Sequence, residues 1–362
     1  MRSWEKHIKL FIPGPVEVYP DVLQEVARPM IGHRSEAFHE LFSDTITKLK
    51  KVLYTENDVF LSTSSATGVW EACARNCIQK KALICVNGAF SDHWYKVVAA
   101  NGKKIDRIDV EWGKAIKPFM IEEKLESGEY DSLLLVHNET STGVANPLYE
   151  IAEVVKKYPD MVFMVDAVSS MTGMKIEVDK LGIDVCLASV QKAFGLPPGL
   201  AIFTVSEKAY ERAEKIENRG YYFDFFVFKE SAKKNETPST PAIPQIFGLN
   251  KQLDKMLKEG MEKRFERHRK MAEYTRKWAI ESGFELFPEK GYESNTLTTV
   301  KNTLNISVSE LNKKLIERGV MISNGYGPLK EKTFRIAHMG DTQLEEIKNL
   351  LEMIDEILGG NK

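Results

Sequence analysis

The stretch LASVQKAFGLPPGLAIF, residues 187–203, sets one lysine between two apolar runs and follows it with a loop of glycine and proline. Each run has the length and composition of a short strand, so the segment reads as strand, turn, strand. Lys192 falls where the first run ends. Burial there disfavours the ammonium, lowers its pKa and leaves a neutral amine able to form an imine. A lysine whose head snorkels to water is the purely structural alternative.

Outward from this point the same rhythm recurs. DVFLS (58–62), ALICVNG (82–88), KKIDRIDV (103–110), SLLLVHNE (132–139), MVFMVDAV (161–168), DVCLASV (184–190) and LAIFTVS (200–206) alternate with helical stretches. Continuous apolar runs of this kind mark strands buried on both faces, as in a mostly parallel sheet covered by helices. Within GVWEACARNCI (68–78), a helix beginning near Gly68, Trp70, Ala74, Cys77 and Ile78 share one face. ETPSTPAIPQI (236–246) is Pro-rich and expected to run extended.

Beyond it the character changes. Asn250 to Ser282 is heavily charged and reads as one long helix linking two lobes. Ser307 with Glu310, and Thr342 with Glu345, fit capping boxes. The last helix sets Ile347, Leu350, Leu351, Ile354, Ile357 and Leu358 on one stripe. The expected organisation is an α/β domain over 16–250 and a smaller C-terminal α+β domain over 251–362, joined by an N-terminal segment, 1–15.

Composition excludes several function classes. The 362 residues carry 50 Lys+Arg against 52 Asp+Glu, without a basic cluster interleaved with aromatics, so nucleic acid is not an expected partner. The N-terminus lacks an apolar signal core, and no apolar run approaches the ~18 residues that span a bilayer. A soluble cytoplasmic protein is expected. Cys73, Cys77, Cys85 and Cys186 sit in apolar patterns and read as small core residues of a reducing compartment. The seven histidines are scattered, with no zinc-binding pair, and no metal is expected.

Ligands of open α/β sheets bind beyond the carboxyl ends of the strands. STSSATG (62–68) offers hydroxyls and the N–H groups of a helix start, a phosphate site or simply a helix cap. Asp166 closes an apolar run; it needs a cation or strong donors, or caps the next turn. HNETSTG (137–143) adds hydroxyls and amides, and Lys192 is the fourth such end. No Walker, dinucleotide or esterase-elbow motif occurs. A phosphate cradle, a buried acid and a strand-end lysine together suit pyridoxal 5'-phosphate. The Gly195, Pro197, Pro198, Gly199 loop is then expected to pass around the cofactor ring.

The whole constellation resembles the class V aminotransferases among fold-type I pyridoxal phosphate enzymes, in particular the alanine–glyoxylate and serine–pyruvate branch. The resemblance runs through FIPGP (11–15), PMIGHRSEAFHEL (29–41), FLSTSSATGVWEA, VNGAFSDHW, HNETSTGVANPL, VDAVSS, SVQKAFGLPPGLA and TFRIAHMG (333–340). It implies a large domain with a mostly parallel seven-stranded sheet flanked by helices, and a smaller C-terminal domain. It implies Lys192 as the Schiff-base residue and Asp166 as partner of the pyridine nitrogen. Phe90 then stacks on the cofactor, Ser65, Ala66 and Thr67 form the phosphate turn, Gln191 reaches the phosphate and Thr140 the ring hydroxyl. Thr240 matches a position that completes the site of the other subunit in a homodimer. Arg335 matches the carboxylate-binding arginine and Gly14 lines the substrate pocket. The sequence departs from the family at Ala66, where glycine is frequent, and at Thr237, where relatives often carry a bulkier residue. Taken alone, Phe90 reads equally as a core aromatic and Arg335 as a solvated strand residue.

The implied activity is ping-pong transfer of an amino group from a small amino acid, alanine or serine, to a small 2-oxo acid, glyoxylate or pyruvate. A phosphoserine aminotransferase is the alternative, with His33, Arg34 or Arg219 as added basic residues. A desulfurase or lyase of the same fold needs a mobile cysteine downstream of the lysine, and none follows Cys186.

Overall fold

A computed structural model describes residues 6–359. Residues 1–5 and 360–362, the outer ends of the expected N-terminal segment and C-terminal domain, lie outside the described residues.

The strands are β1 (Lys9–Phe11), β2 (Asp58–Ser62), β3 (Ala82–Val86), β4 (Ile105–Asp109), β5 (Ser132–Val136), β6 (Asn138–Glu139) and β7 (Val144–Ala145). They continue with β8 (Val162–Asp166), β9 (Val185–Ser189), β10 (Ala201–Val205), β11 (Glu285–Leu286), β12 (Leu297–Lys301), β13 (Val320–Asn324) and β14 (Thr333–Ala337). All seven apolar runs enter one sheet, in the order β2-β10-β9-β8-β5-β3-β4. Its pairs are parallel except at β10, which is antiparallel to β2 and β9.

Alternation along each strand feeds two cores. Phe163 and Val165 of β8 join the core beneath the helices Glu36–Leu53 and Ile243–Glu259. Val162 and Met164 join the opposite core, with Trp70, Trp94 and Phe225 from the covering helices. Burial on both faces is why six of these strands read as apolar runs rather than alternating ones. β4, IDRID (105–109) at the sheet edge, departs from the expectation: it is only partly buried and its polar residues face solvent or ion-pair partners. The four cysteines are buried and free.

The second sheet, β1-β13-β14-β12-β11, has its own core, built by Phe11, Trp278, Phe334, Ile336 and the buried stripe Ile347, Leu350, Leu351 and Ile354. β1 is a finding beyond the sequence reading. The N-terminal segment contributes an edge strand here, pairing in parallel with β13 (Lys9 opposite Val320), before it crosses to the larger sheet.

The charged stretch expected as one helix is two, Ile243–Glu259 and Met261–Glu281, broken at Gly260, whose φ of +84° ends the first helix. Met256 still belongs to the first core, whereas Met271 and Trp278 belong to that of the second sheet. The Pro-rich stretch is irregular only as far as Ala242; Pro244 then sits in the first helical turn, where its missing N–H costs nothing. Ser307 caps its helix by accepting from the Glu310 N–H at 3.2 Å, which is the serine half of the expected capping box. The last capping box is shifted by one residue, to Gln343 and Glu346, because the Thr342 hydroxyl donates to the Met339 carbonyl instead.

Candidate active site

Parallel register places the carboxyl ends of β5, β8 and β9 side by side: Val136 stands opposite Asp166, and Asp166 opposite Leu187. The polar residues that follow each end therefore converge. They enclose a cavity of about 160 Å³ lined by Ser65, Ala66, Thr67, Phe90, Thr140, Asp166, Gln191 and Lys192, with Trp70, Val136, Asn138, Val168 and Ser169 completing the wall.

Asp166 is 3% exposed. Its two oxygens accept from Trp70 Nε1 and from the Val168 N–H, both at 2.8 Å. Burial nevertheless raises its pKa to about 7; these donors and Lys192 pull the other way. Such an acid is suited to a cationic partner.

Lys192 has its pKa lowered to about 8, chiefly by burial and then by the charge of Arg335. Its Nζ donates to the Pro13 carbonyl. Gly14, the next residue, has φ +131°, and a Cβ on it would lie 2.5 Å from Lys192 Nζ. The Val16 N–H donates to the Gln191 carbonyl at 3.0 Å, fixing the N-terminal segment alongside the lysine.

Ser65 is the N-cap of the helix Ala66–Cys77, yet its side chain makes no capping bond. Its hydroxyl and the first N–H groups of the helix thus remain available to an anion. The neighbouring hydroxyls are committed: Thr63 accepts from the Ala242 N–H at 3.0 Å and Ser62 bonds Ser64 at 2.9 Å.

Phe90 lies in the first turn of the helix Ala89–Ala100. That helix start is held by Glu139, which accepts from the Phe90 N–H at 3.2 Å and from the Ser91 N–H and hydroxyl, each at 2.9 Å. Gly88 leaves the room this needs, since a Cβ there would lie 2.3 Å from Glu139 Cγ. Thr140 bonds Ser169 through their hydroxyls. Asn138 Nδ2 donates to the Ser169 carbonyl at 3.0 Å and to Thr296 Oγ1 at 2.9 Å, joining the cavity wall to the segment that enters β12.

Arg335, in β14, is 8% exposed, and burial lowers its pKa to about 10. Nε and Nη2 donate to the Asn324 carbonyl at 3.3 and 3.2 Å, and Nη1 to the Thr140 carbonyl at 3.2 Å. Of the five guanidinium N–H groups, one on each terminal nitrogen is left over. That pair suits a carboxylate.

Thr240 is exposed and lies outside this chain's own cavity wall, as a residue serving a partner's site would. Two other expectations are placed differently. The Gly195–Gly199 loop does not pass around the cavity: Gly195 packs against Gln252 and Gly199 against Gln245, so this loop seats the helix Ile243–Glu259. Arg34 is paired with Glu236 and Arg219 with Asp224, away from the cavity wall. Trp70 and Glu139 were not singled out as site residues; Trp70 lies on a helix stripe that reads as core, and Glu139 acts only through strand register. A larger cleft of about 510 Å³, bordered by Tyr149, Lys175, Glu262, Arg269 and Tyr292, pairs its own charges, Lys175 with Glu262 and Arg269 with Glu266. Among the described residues no acidic, histidine and cysteine side chains gather as for a metal, and no helix is long and apolar enough to cross a membrane.

The cavity fits pyridoxal phosphate: a buried acid for a ring cation, an uncommitted helix start for a phosphate, a lysine whose ammonium is destabilised by burial and a half-buried aromatic ring. Comparisons agree. The model of the family described as aminotransferase class-V matches residues 15–350. An uncharacterized aminotransferase of Methanocaldococcus jannaschii is 40% identical over 96% of this chain and 91% of its own. The L-aspartate–glyoxylate aminotransferase of Paracoccus denitrificans is 32% identical over 91% of this chain and 86% of its own. The structure of alanine–glyoxylate aminotransferase from Nostoc sp. superposes with a TM-score of 0.92 at 28% identity, covering 97% of this chain and 95% of that one. The architecture is that of the fold-type I aminotransferases. By the extent of the family match and the 40% identity along nearly its whole length, this chain belongs to the class-V aminotransferases.

Proposed function

We propose that this transaminase uses pyridoxal 5'-phosphate to move an amino group from a small amino acid, alanine or serine, to a small 2-oxo acid, glyoxylate or pyruvate, by a ping-pong mechanism. It acts as a cytoplasmic homodimer in this reading, with Thr240 of each subunit serving the other's site. One observation carries the reading: Lys192 and Asp166 line a single cavity, and Arg335, with two uncommitted N–H groups, is bonded to the Thr140 backbone at its edge.

When bound, the cofactor supplies an electron sink for the substrate α-carbon. Asp166, fixed by Trp70 and Val168, keeps a proton on the ring nitrogen. Lys192 Nζ, whose pKa burial lowers to about 8, would take the proton from the α-carbon and deliver it to the carbon on the far side of the transferred nitrogen. Arg335 grips the α-carboxylate with its remaining fork. Ser65, Ala66, Thr67 and Gln191 hold the phosphate, Thr140 meets the ring hydroxyl and Phe90 covers the ring face. Gly14 leaves space beside the amine.

Glyoxylate appears in the names of both the Paracoccus and the Nostoc relatives, which supports a small acceptor. The internal pairing of Arg34 and Arg219 favours unphosphorylated donors over phosphoserine. Burial pushes all four thiols up, away from the nucleophilic form a desulfurase needs. The test is amino transfer by the cofactor-loaded protein from alanine and serine to glyoxylate and pyruvate, followed by product chromatography. Transfer confined to phosphoserine, or absent with every donor, sinks the proposal.

A further inference from the structure

Tyr326 is 42% exposed, yet its ring is not idle surface. Its centroid lies 5.4 Å from that of Phe90, and the Arg335 guanidinium carbon lies 5.6 Å from it. It therefore touches both the ring assigned to the cofactor and the cation assigned to the substrate, without belonging to a core.

The backbone that carries it is built tightly. The Gly325 N–H donates to the Thr333 carbonyl at 2.8 Å and the Leu329 N–H to the Tyr326 carbonyl at 3.1 Å. A Cβ at Gly325 would stand 2.0 Å from the Leu329 carbonyl oxygen, and Gly327 has φ +54°. A turn this constrained holds one aromatic residue in one place, over a guanidinium whose other contacts are backbone carbonyls.

We propose that Tyr326 is the specificity-determining residue that limits the substrate side chain to one or two non-hydrogen atoms. The inference rests on Arg335 taking the α-carboxylate. With the carboxylate on the free fork of Arg335 and the amino group toward Lys192, the remaining substituent on the α-carbon has to find room between the anchor and solvent. Tyr326, outside the cavity wall but beside both Phe90 and Arg335, is placed to bound that room. A methyl or hydroxymethyl group clears the rings, and a longer chain meets the face of Tyr326.

The experiment compares wild type, Tyr326→Ala and Tyr326→Phe. The donors are alanine, 2-aminobutyrate, norvaline and norleucine, with glyoxylate as acceptor. In wild type kcat/KM falls along the series. In Tyr326→Ala the norvaline-to-alanine ratio rises about 10-fold or more, the usual scale for methylenes in an apolar pocket, whatever happens to the absolute rates. Tyr326→Phe keeps the wild-type ratio, because the ring and not the hydroxyl sets the limit. Titration calorimetry with acetate, butyrate and hexanoate reads the same preference without turnover: Tyr326→Ala shifts it toward the longer acids. Unchanged ratios in both assays overturn the proposal. Should wild type transfer no amino group while the carboxylate preference still shifts on Tyr326→Ala, the transamination reading fails and the size limit stands.

Discussion

The indole Nε1 of Trp70 lies 2.8 Å from Asp166 Oδ2 and gives a buried acid one of its two N–H donors. A hydrogen bond to a charged group is worth about 1.5–3 kcal/mol. Trp70→Phe keeps most of the packing but removes that donor, so the Asp166 carboxyl rises further in pKa. Turnover is expected to fall by about 10-fold or more, and the acidic limb of its pH profile to move to higher pH. A limb that stays in place shows that the indole serves packing alone.

Asp166 also makes a stability statement. Its folded pKa, about 7, lies above the ordinary 3.8, so the folded state binds the extra proton between those values. Stability from this group is full below pH 4 and is lost as pH rises through 7. In cofactor-free protein Asp166→Asn should be more stable than wild type at pH 8, by a few kcal/mol, with the gap closing toward pH 4. Urea titrations at both pH values measure it. The same substitution should sharply reduce turnover, since an amide cannot keep the ring nitrogen protonated.

Gly14→Ala places a methyl group against Lys192 Nζ, Cδ and Cε and strains a backbone at φ +131°. The strained conformation costs about 1–3 kcal/mol, but the larger effect should fall on the lysine, which has to swing aside. Borohydride trapping of cofactor on Lys192 is expected to drop while the melting temperature changes by only a few degrees. Trapping at wild-type efficiency would show that the amine has another resting place.

Arg335→Gln should lower kcat/KM for every amino donor by about 10- to 150-fold, from the worth of charge-assisted bonds to a carboxylate. Lysine at this position restores only part of it, because a point charge lacks the fork. The absorbance of the bound cofactor should be unaffected. Steady-state kinetics with alanine and serine decide the matter: unchanged rates place the carboxylate elsewhere.

Much of the larger sheet was legible because all its strands but the edge strand β4 are buried on both faces and stand out as apolar runs. Lys192 and Asp166 were legible for the same reason, as polar residues ending such runs. β1 was not, since KLF is too short to carry a pattern and its partner lies at the other end of the chain. Gly260 was passed over because one glycine inside a charged helical stretch does not announce a positive φ. Trp70 and Glu139 act through contacts that exist only once β5, β8 and the helices are in register. The Gly195–Gly199 loop misled for a related reason: glycine permits close approach without saying to what, and here the neighbour is a helix.

The pairing of Lys9 with Val320 joins two segments that lie far apart along the chain. Contacts so distant along the chain form late, after the loop entropy between them has been overcome. Until then residues 9–16 have only one of their two anchors, and Pro13 and Gly14 are not yet held against Lys192. Lys192 thus acquires its finished surroundings only when these two distant segments have met. A nascent or prematurely terminated chain lacking β13 would carry a complete seven-stranded sheet and still be unable to assemble a working centre.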